Sequence, residues 1–204
     1  SMAQPKITAP KGTRDLFGQE VARFSRLEAV SRRVFQLFHY AEVRTPLFES
    51  ADLFSRSLGE TSDVVQKEMF TFTDRGDRNF ALRPEGTAGV VRFFLEQKLF
   101  VKGGIHRLFY MGPMFRGERP QAGRFRQFWQ IGSEHFGDSA PSADADTILL
   151  ACHILRDFGL QRFSVQVNTL GDAESRRRYG EALLAYLRSR ESILTPESRQ
   201  RMEK

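Results

Sequence analysis

The stretch FRGERPQAGRFRQFWQIGSEHF, residues 115 to 136, sets Arg116, Arg119, Arg124 and Arg126 within eleven positions. Arginine carries a planar, permanently charged fork that matches phosphate and carboxylate oxygens. Beyond the arginines the residues read as a β-strand, in which positions two apart share a face. One face then holds Arg124, Arg126, Phe128, Gln130, Gly132 and Glu134, and the other Phe125, Gln127, Trp129, Ile131, Ser133 and His135. The preceding run divides the same way, with Tyr110, Gly112, Met114 and Arg116 opposite Phe109, Met111, Pro113 and Phe115. A regular ladder joining the two even sets makes a face graded in chemistry. Arg116 and Arg124 can neutralise a polyphosphate, and Phe128 offers a flat surface to a base. Gly112 and Gly132 leave room for a ligand, and Gln130 with Glu134 can hold a small, polar, cationic group. The odd set is mostly apolar and is expected to pack against helices.

The competing reading is a solvated basic hairpin that touches RNA backbone without specificity. Glu118 and Glu134 inside the cluster, with glycines on the same face, argue against a surface that only tracks phosphates. Nothing in the face resembles a Ser-His-Asp set or a carboxylate pair for hydrolysis. No glycine-rich loop ending in Lys-Ser or Lys-Thr appears, and no dinucleotide fingerprint of spaced glycines. A nucleotide here has to be held by side-chain cations. His39, His106, His135 and His153 are scattered, without the spacing of a zinc site, so no metal ligands are assigned.

Bulk properties agree with an anionic partner. The 204 residues carry a formal net charge of +6, and 25 of the 31 basic residues are arginine. With 40% hydrophobic and 27% charged residues, the composition is that of an ordinary globular domain with a sizeable core. No apolar run is long enough to span a bilayer, and the first residues lack the apolar core of a signal peptide. One cysteine, Cys152, excludes an internal disulfide and fits a reducing compartment. The expectation is a cytoplasmic protein that does not engage a membrane.

The elements that must position these residues follow from periodicity. Val21, Phe24, Leu27, Val30, Val34, Leu37 and Phe38 recur at three- and four-residue spacings, which predicts an amphipathic helix over 19–39. A short strand, AEVRTP, follows and must break near Pro46. Residues 69–83 predict a hairpin about the turn Asp74-Arg75-Gly76-Asp77. Thr87 is placed to cap a helix over about 88–100. Strands near 107–116 and 124–136 flank the arginine loop, and a helix over about 143–158 has Ser142 as a cap and Gly159 as its stop. Phe163, Val165 and Val167 alternate as a strand, and Asp172 opens a polar helix whose Arg176-Arg177-Arg178 run reads as a solvated face. Helices lie among hairpins without strict alternation, which predicts an α+β fold with a largely antiparallel sheet.

The residues also match a known pattern. Phe115-Arg116-x-Glu118, a loop, and Arg124 four places before Phe128 resemble motif 2 of class II aminoacyl-tRNA synthetases. The blocks PKGTRDL (10–16), QKEMFTF (66–72), LRPEGTAGVVR (82–92) and MFRGERPQAGRFRQFWQIGSE (114–134) are similar to histidyl-tRNA synthetases in particular. The helix over 19–39 with EVRTP is similar to motif 1, the dimerisation element of that class.

The resemblance, which runs from about residue 6 to the end, implies a class II antiparallel sheet flanked by helices. It also implies ATP with Mg²⁺, histidine and histidine tRNA as ligands, and a homodimer. It implies that Arg116 is the catalytic residue, binding the ATP α-phosphate and the histidine carboxylate. Glu118 and Arg124 would hold ATP and Phe128 would stack on adenine. Glu85, Thr87 and Gln130 would receive the α-ammonium group and Glu134 the imidazole, with Gly86 also among the histidine-binding residues. For Glu85 a second reading, a carboxylate at a helix N-terminus, stays open.

The family pattern continues further than these residues. An Arg-Gly-Leu-Asp-Tyr-Tyr segment, motif 3 and an anticodon-binding domain are absent, so 1–204 reads as the N-terminal part of a catalytic domain with little activity of its own. A histidine-sensing regulatory subunit of ATP phosphoribosyltransferase and a non-catalytic RNA-binding module are the alternatives. The first tends to lose the ATP-binding arginines, and the second leaves Arg83-Pro84-Glu85-Gly86-Thr87 unexplained.

Overall fold

The computed structural model describes residues 6–119, 121, 123–169 and 171–202. The chain divides into two compact units, Ser1–Gln161 and Arg162–Lys204.

In the first unit the helix α1 (Gln19–Leu37) leads through His39, whose backbone is left-handed, into the two-residue strand β1 (Ala41–Glu42). Strands β5 (His106–Phe115) and β6 (Gln127–Phe136) form the long antiparallel hairpin, and β1 lies parallel along the outer side of β5. A second sheet is antiparallel throughout, in the order β2 (Phe48–Ser50), β4 (Asn79–Leu82), β3 (Thr71–Thr73). Its β3–β4 turn closes as expected, with Asp74 Oδ1 accepting from the amides of Gly76 (2.9 Å) and Arg78 (3.0 Å).

Helices α2 (Ala51–Leu58), α3 (Thr87–Glu96) and α4 (Leu99–Lys102) precede the hairpin, and α5 (Pro141–Phe158) follows it. The second unit holds α6 (Ala173–Arg188), a 3₁₀ turn and α7 (Pro196–Met202). In α6, Arg177 bridges Glu174 and Glu181 at 2.6 Å each, as a solvated face would.

The fold is α+β with mainly antiparallel pairing, and the parity of the hairpin holds. Met114 stands opposite Phe128, Gly112 opposite Gln130, Tyr110 opposite Gly132 and Leu108 opposite Glu134. On the odd face Phe109 stacks on Phe35 of α1 with ring centroids 4.3 Å apart, in a core completed by Val34, Tyr40, Leu150 and Ile154. Trp129 meets the edge of Phe24 at 5.6 Å. The even face is covered in part by α3, where Val90 joins Leu108, Tyr110 and Met114.

Several sequence expectations are corrected. The hairpin strands stop at Phe115 and start again at Gln127, so Arg124 lies in the connecting loop, where its backbone forms an isolated bridge with Gln121. Thr87 is the first residue of α3 and not its cap, and Lys98 in a left-handed conformation separates α3 from α4. At α5 the cap is Ala140 and not Ser142, because Pro141 takes the first helical position, where its missing N–H costs nothing. Gly159 does stop that helix with φ 118°, and the Asp172 carboxylate caps α6 by accepting from the Ser175 amide at 2.7 Å. Residues 162–168 form no strand: alternation alone does not hold an extended segment that joins no ladder, and Val165 and Val167 are exposed.

The Phe35–Phe109 pair joins α1 to the sheet that carries the site. Phe109→Ala leaves a cavity there and is expected to lower the unfolding free energy of the chain by about 3–5 kcal/mol, measured by denaturant unfolding.

Candidate active site

The site is assembled where the end of β4 and the start of α3 meet the even face of the β5–β6 hairpin. Residues Arg83 to Thr87 run across that junction, and the hairpin holds them residue by residue. The Phe115 amide donates to Arg83 O (2.9 Å), and Arg116 Nε donates to Pro84 O (2.9 Å). Gly86 packs so closely on Tyr110 that a Cβ there would stand 2.1 Å from its ring. Thr87 Oγ1 donates to Glu134 Oε1 at 2.7 Å.

Glu85 turns back on its own helix. Its carboxylate accepts from the Thr87 amide and from the Ala88 amide (3.1 Å), so it caps α3 where the helix dipole favours negative charge. Thr87 and Glu85 therefore exchange the roles that capping preferences suggest. The carboxylate closes the helix end, and the hydroxyl is freed to reach across to β6.

The glycines make room, but the chain fills it. A Cβ on Gly112 would lie 2.5 Å from Arg83 Nη2, and one on Gly132 would lie 2.4 Å from the Tyr110 ring. Arg83 and Tyr110 thus occupy the spaces expected to be open to ligand. Sequence parity put Tyr110 on this face but gave no sign that it lies across Gly132. For Arg83 the only signal was its place in LRPEGT.

Electrostatics follow from this packing. Burial pushes the Glu134 carboxyl above the usual range, the Thr87 hydrogen bond opposes the shift, and the charge of Glu85 adds to it. Burial also raises the Tyr110 phenol; the charges of Glu134 and Glu85 add to the shift, while Thr87 and Arg83 oppose it.

The four arginines do not form one cradle. Arg116 lies 5.2 Å over the Phe128 ring, and Arg124 Nη1 stands 3.5 Å from Glu118 Oε2. These two line a hollow of about 480 Å³ with Glu118, Phe125, Phe128 and Trp129. Arg126 is structural instead: its Nε donates to Glu118 O (3.2 Å), and its own amide is held by Gly12 O (2.7 Å). Arg119 is exposed outside the hollow. Gln130 shares the even face and borders an apolar cleft beside Phe24, Leu27 and Met111. The site thus has two parts, an arginine-lined hollow and a polar cluster of Glu85, Thr87, Tyr110 and Glu134. Among the described residues, no three His, Cys, Asp or Glu side chains gather as a metal site.

Comparison with known proteins decides the family. The family model described as Histidyl-tRNA synthetase matches residues 12–174. The chain belongs to the histidyl-tRNA synthetase family. It is 50% identical over 198 residues to the histidine–tRNA ligase of a Picosynechococcus species, covering 97% of this chain and 46% of that protein. The solved apo histidyl-tRNA synthetase of S. aureus superposes with a TM-score of 0.77 at 35% identity, again over 97% of this chain and 46% of that one. The chain therefore spans about half the length of the synthetases it matches. A Bacillus halodurans structure titled an ATP phosphoribosyltransferase regulatory subunit/histidyl-tRNA synthetase shares the fold, with a TM-score of 0.71 at 22% identity over 98% of this chain and 55% of that one. No helix among the described residues is long and apolar enough to cross a membrane.

The raised Glu134 carboxyl gives a signed expectation. A folded-state pKa above the unfolded value contributes stability at low pH that is lost as pH rises through the folded pKa. At about pH 4, where a free glutamate is largely protonated, Glu134→Gln should unfold near the wild-type temperature. Toward neutral pH the variant should become the more stable of the two. Thermal unfolding of both proteins across this range checks it, and a variant less stable at pH 7 than at pH 4 relative to wild type would contradict it.

Proposed function

We propose that this chain is the motif 1 and motif 2 part of a histidine-activating catalytic domain. The complete gene product would join histidine to ATP as histidyl-adenylate and pass the histidyl group to the 3′ end of histidine tRNA. The observation that carries this reading is the two-part site: a hollow lined by Arg116, Arg124 and Phe128 and, six residues along β6 from Phe128, a half-buried carboxylate, Glu134, fixed by Thr87. Retention of Arg116, Glu118 and Arg124 favours the ligase over a histidine-sensing regulatory subunit.

The chemistry asks for positioning more than for acid–base catalysis. The histidine carboxylate oxygen attacks the α-phosphorus, the bond to the β-phosphate oxygen breaks, and pyrophosphate leaves. Both reactants are anions, so fixed guanidiniums must neutralise their repulsion and the charge that develops on the leaving group. Arg116 is assigned to the α-phosphate and the carboxylate, Arg124 to the terminal phosphates, and Glu118 to holding the nucleotide. Mg²⁺ is taken as part of the nucleotide substrate, on its phosphate oxygens.

Phe128 is assigned to adenine. Arg116 lies over that ring in the ligand-free chain, with its Nε held by Pro84 O. Gln130 and Glu85, with Gly86 and Thr87 beside them, receive the ammonium group. Glu85 keeps its capping bonds and offers remaining lone pairs.

Glu134 accepts an imidazole N–H. An apolar side chain in that pocket would leave the carboxylate unpaired, and this gives the selectivity. A homodimer through α1 and β1 is part of the proposal, and exposed Val21 and Leu37 on α1 supply apolar surface for it.

Arg116→Ala in the complete gene product should slow histidine-dependent pyrophosphate exchange by about a hundredfold or more while leaving the circular dichroism spectrum unchanged. Exchange near the wild-type rate would remove Arg116 from the chemistry.

A further inference from the structure

Arg83 is the most buried charged side chain near the site, at 6% exposure. A guanidinium placed there needs acceptors, and the ones it has are neutral. Its Nε donates to Pro113 O (2.9 Å), and Nη1 donates to Thr45 O and Thr45 Oγ1 (3.3 Å each). The nearest carboxylate in charge contact, Glu49, is committed elsewhere, accepting from Arg92 Nη2 at 2.7 Å and Nε at 3.1 Å. Burial accordingly lowers the Arg83 pKa, although the group stays cationic. A buried cation without a counter-ion is costly.

The third nitrogen, Nη2, donates to no group among the described residues. It lies where a Gly112 side chain would begin, on the even face directly across from Gln130. It is not among the sealed, unpartnered polar atoms, which are Ser31 Oγ, Tyr40 Oη and His135 Nδ1, so it is not wholly closed off from solvent. Along this face Gly112 stands between Glu134 and Arg116. The proposed substrate lies along the same line, imidazole toward Glu134 and carboxylate toward Arg116. Arg116 is tethered to Pro84 O, so two guanidiniums approach that line from either side of one residue.

We propose that Arg83 is a second, pre-positioned cation for the amino-acid carboxylate, with Nη2 donating to one carboxylate oxygen. The inference rests on the histidine-activating reading and adds a residue to it. Gly112 is then required to be glycine because any side chain would displace this nitrogen. The fixed positive charge also counters repulsion between the carboxylate and the α-phosphate before ATP is engaged.

The test compares histidine with histidinol, which keeps the imidazole and ammonium groups but has an alcohol in place of the carboxylate. In the complete gene product, Arg83→Gln should raise the KM for histidine in pyrophosphate exchange by roughly tenfold or more. The inhibition constant of histidinol and the KM for ATP should each stay within about twofold, since neither ligand presents the lost contact. Arg83→Lys, which keeps the charge and loses the fork, should fall between the wild type and Arg83→Gln. Equal weakening of histidine and histidinol would make Arg83 a structural strut and overturn the inference, as would failure of both variants to fold. A wild-type protein that exchanges no histidine would instead overturn the functional reading itself.

Discussion

Four close contacts from residues within 83–87 set the geometry of the whole site. The carbonyls of Arg83 and Pro84 clasp the end of β5, Gly86 admits the Tyr110 ring, and Thr87 grips Glu134. Through them the small β2–β4–β3 sheet and α3 are fastened to the long hairpin. Every polar group assigned to substrate is either in this segment or touched by it, apart from Glu118, Arg124 and Gln130. Each contact is modest alone, about 1 kcal/mol for a neutral hydrogen bond. Their value lies in cooperation, because side chains held from two directions stay in place when the site is empty.

The arrangement also concentrates charge where water is scarce. Arg83 is buried with no carboxylate hydrogen-bonded to it among the described residues, and Glu134 is partly buried beside Glu85 and Tyr110. Both features oppose folding and favour a ligand that supplies the missing partner. The proposed substrate, an amino acid with a carboxylate at one end and a protonatable ring at the other, would supply both.

Much of this was legible in the sequence, and the reasons are physical. The period-2 alternation through Phe109–Phe115 and Gln127–Phe136 fixed which residues share a face, because a one-residue slip would have turned Phe109 away from Phe35. The Asp74 turn, the Gly159 stop and the Asp172 cap are local features that local chemistry determines. What was not legible depends on distant elements meeting. Gly112 and Gly132 read as space for ligand, yet Arg83 from the end of β4 and Tyr110 within β5 fill it. Helix α2 and strand β2 lie between Pro46 and Met69, where periodicity assigned nothing, and they are held by burial of Phe54 and Ala51. Residues 162–168 carry strand alternation but join no ladder.

The central claim is that residues 83–87 hold the site in its working geometry before any ligand arrives. Amide hydrogen exchange of the ligand-free chain tests it most directly, read at Thr87 and Ala88, whose amides bond Glu85, and at Phe115, whose amide bonds Arg83 O. The account predicts that these three amides exchange as slowly as those in the middle of the β5–β6 ladder. Exchange at the rates of an unstructured chain, slowing only when histidine and ATP are added, would contradict it and make the ligands the organisers of the site.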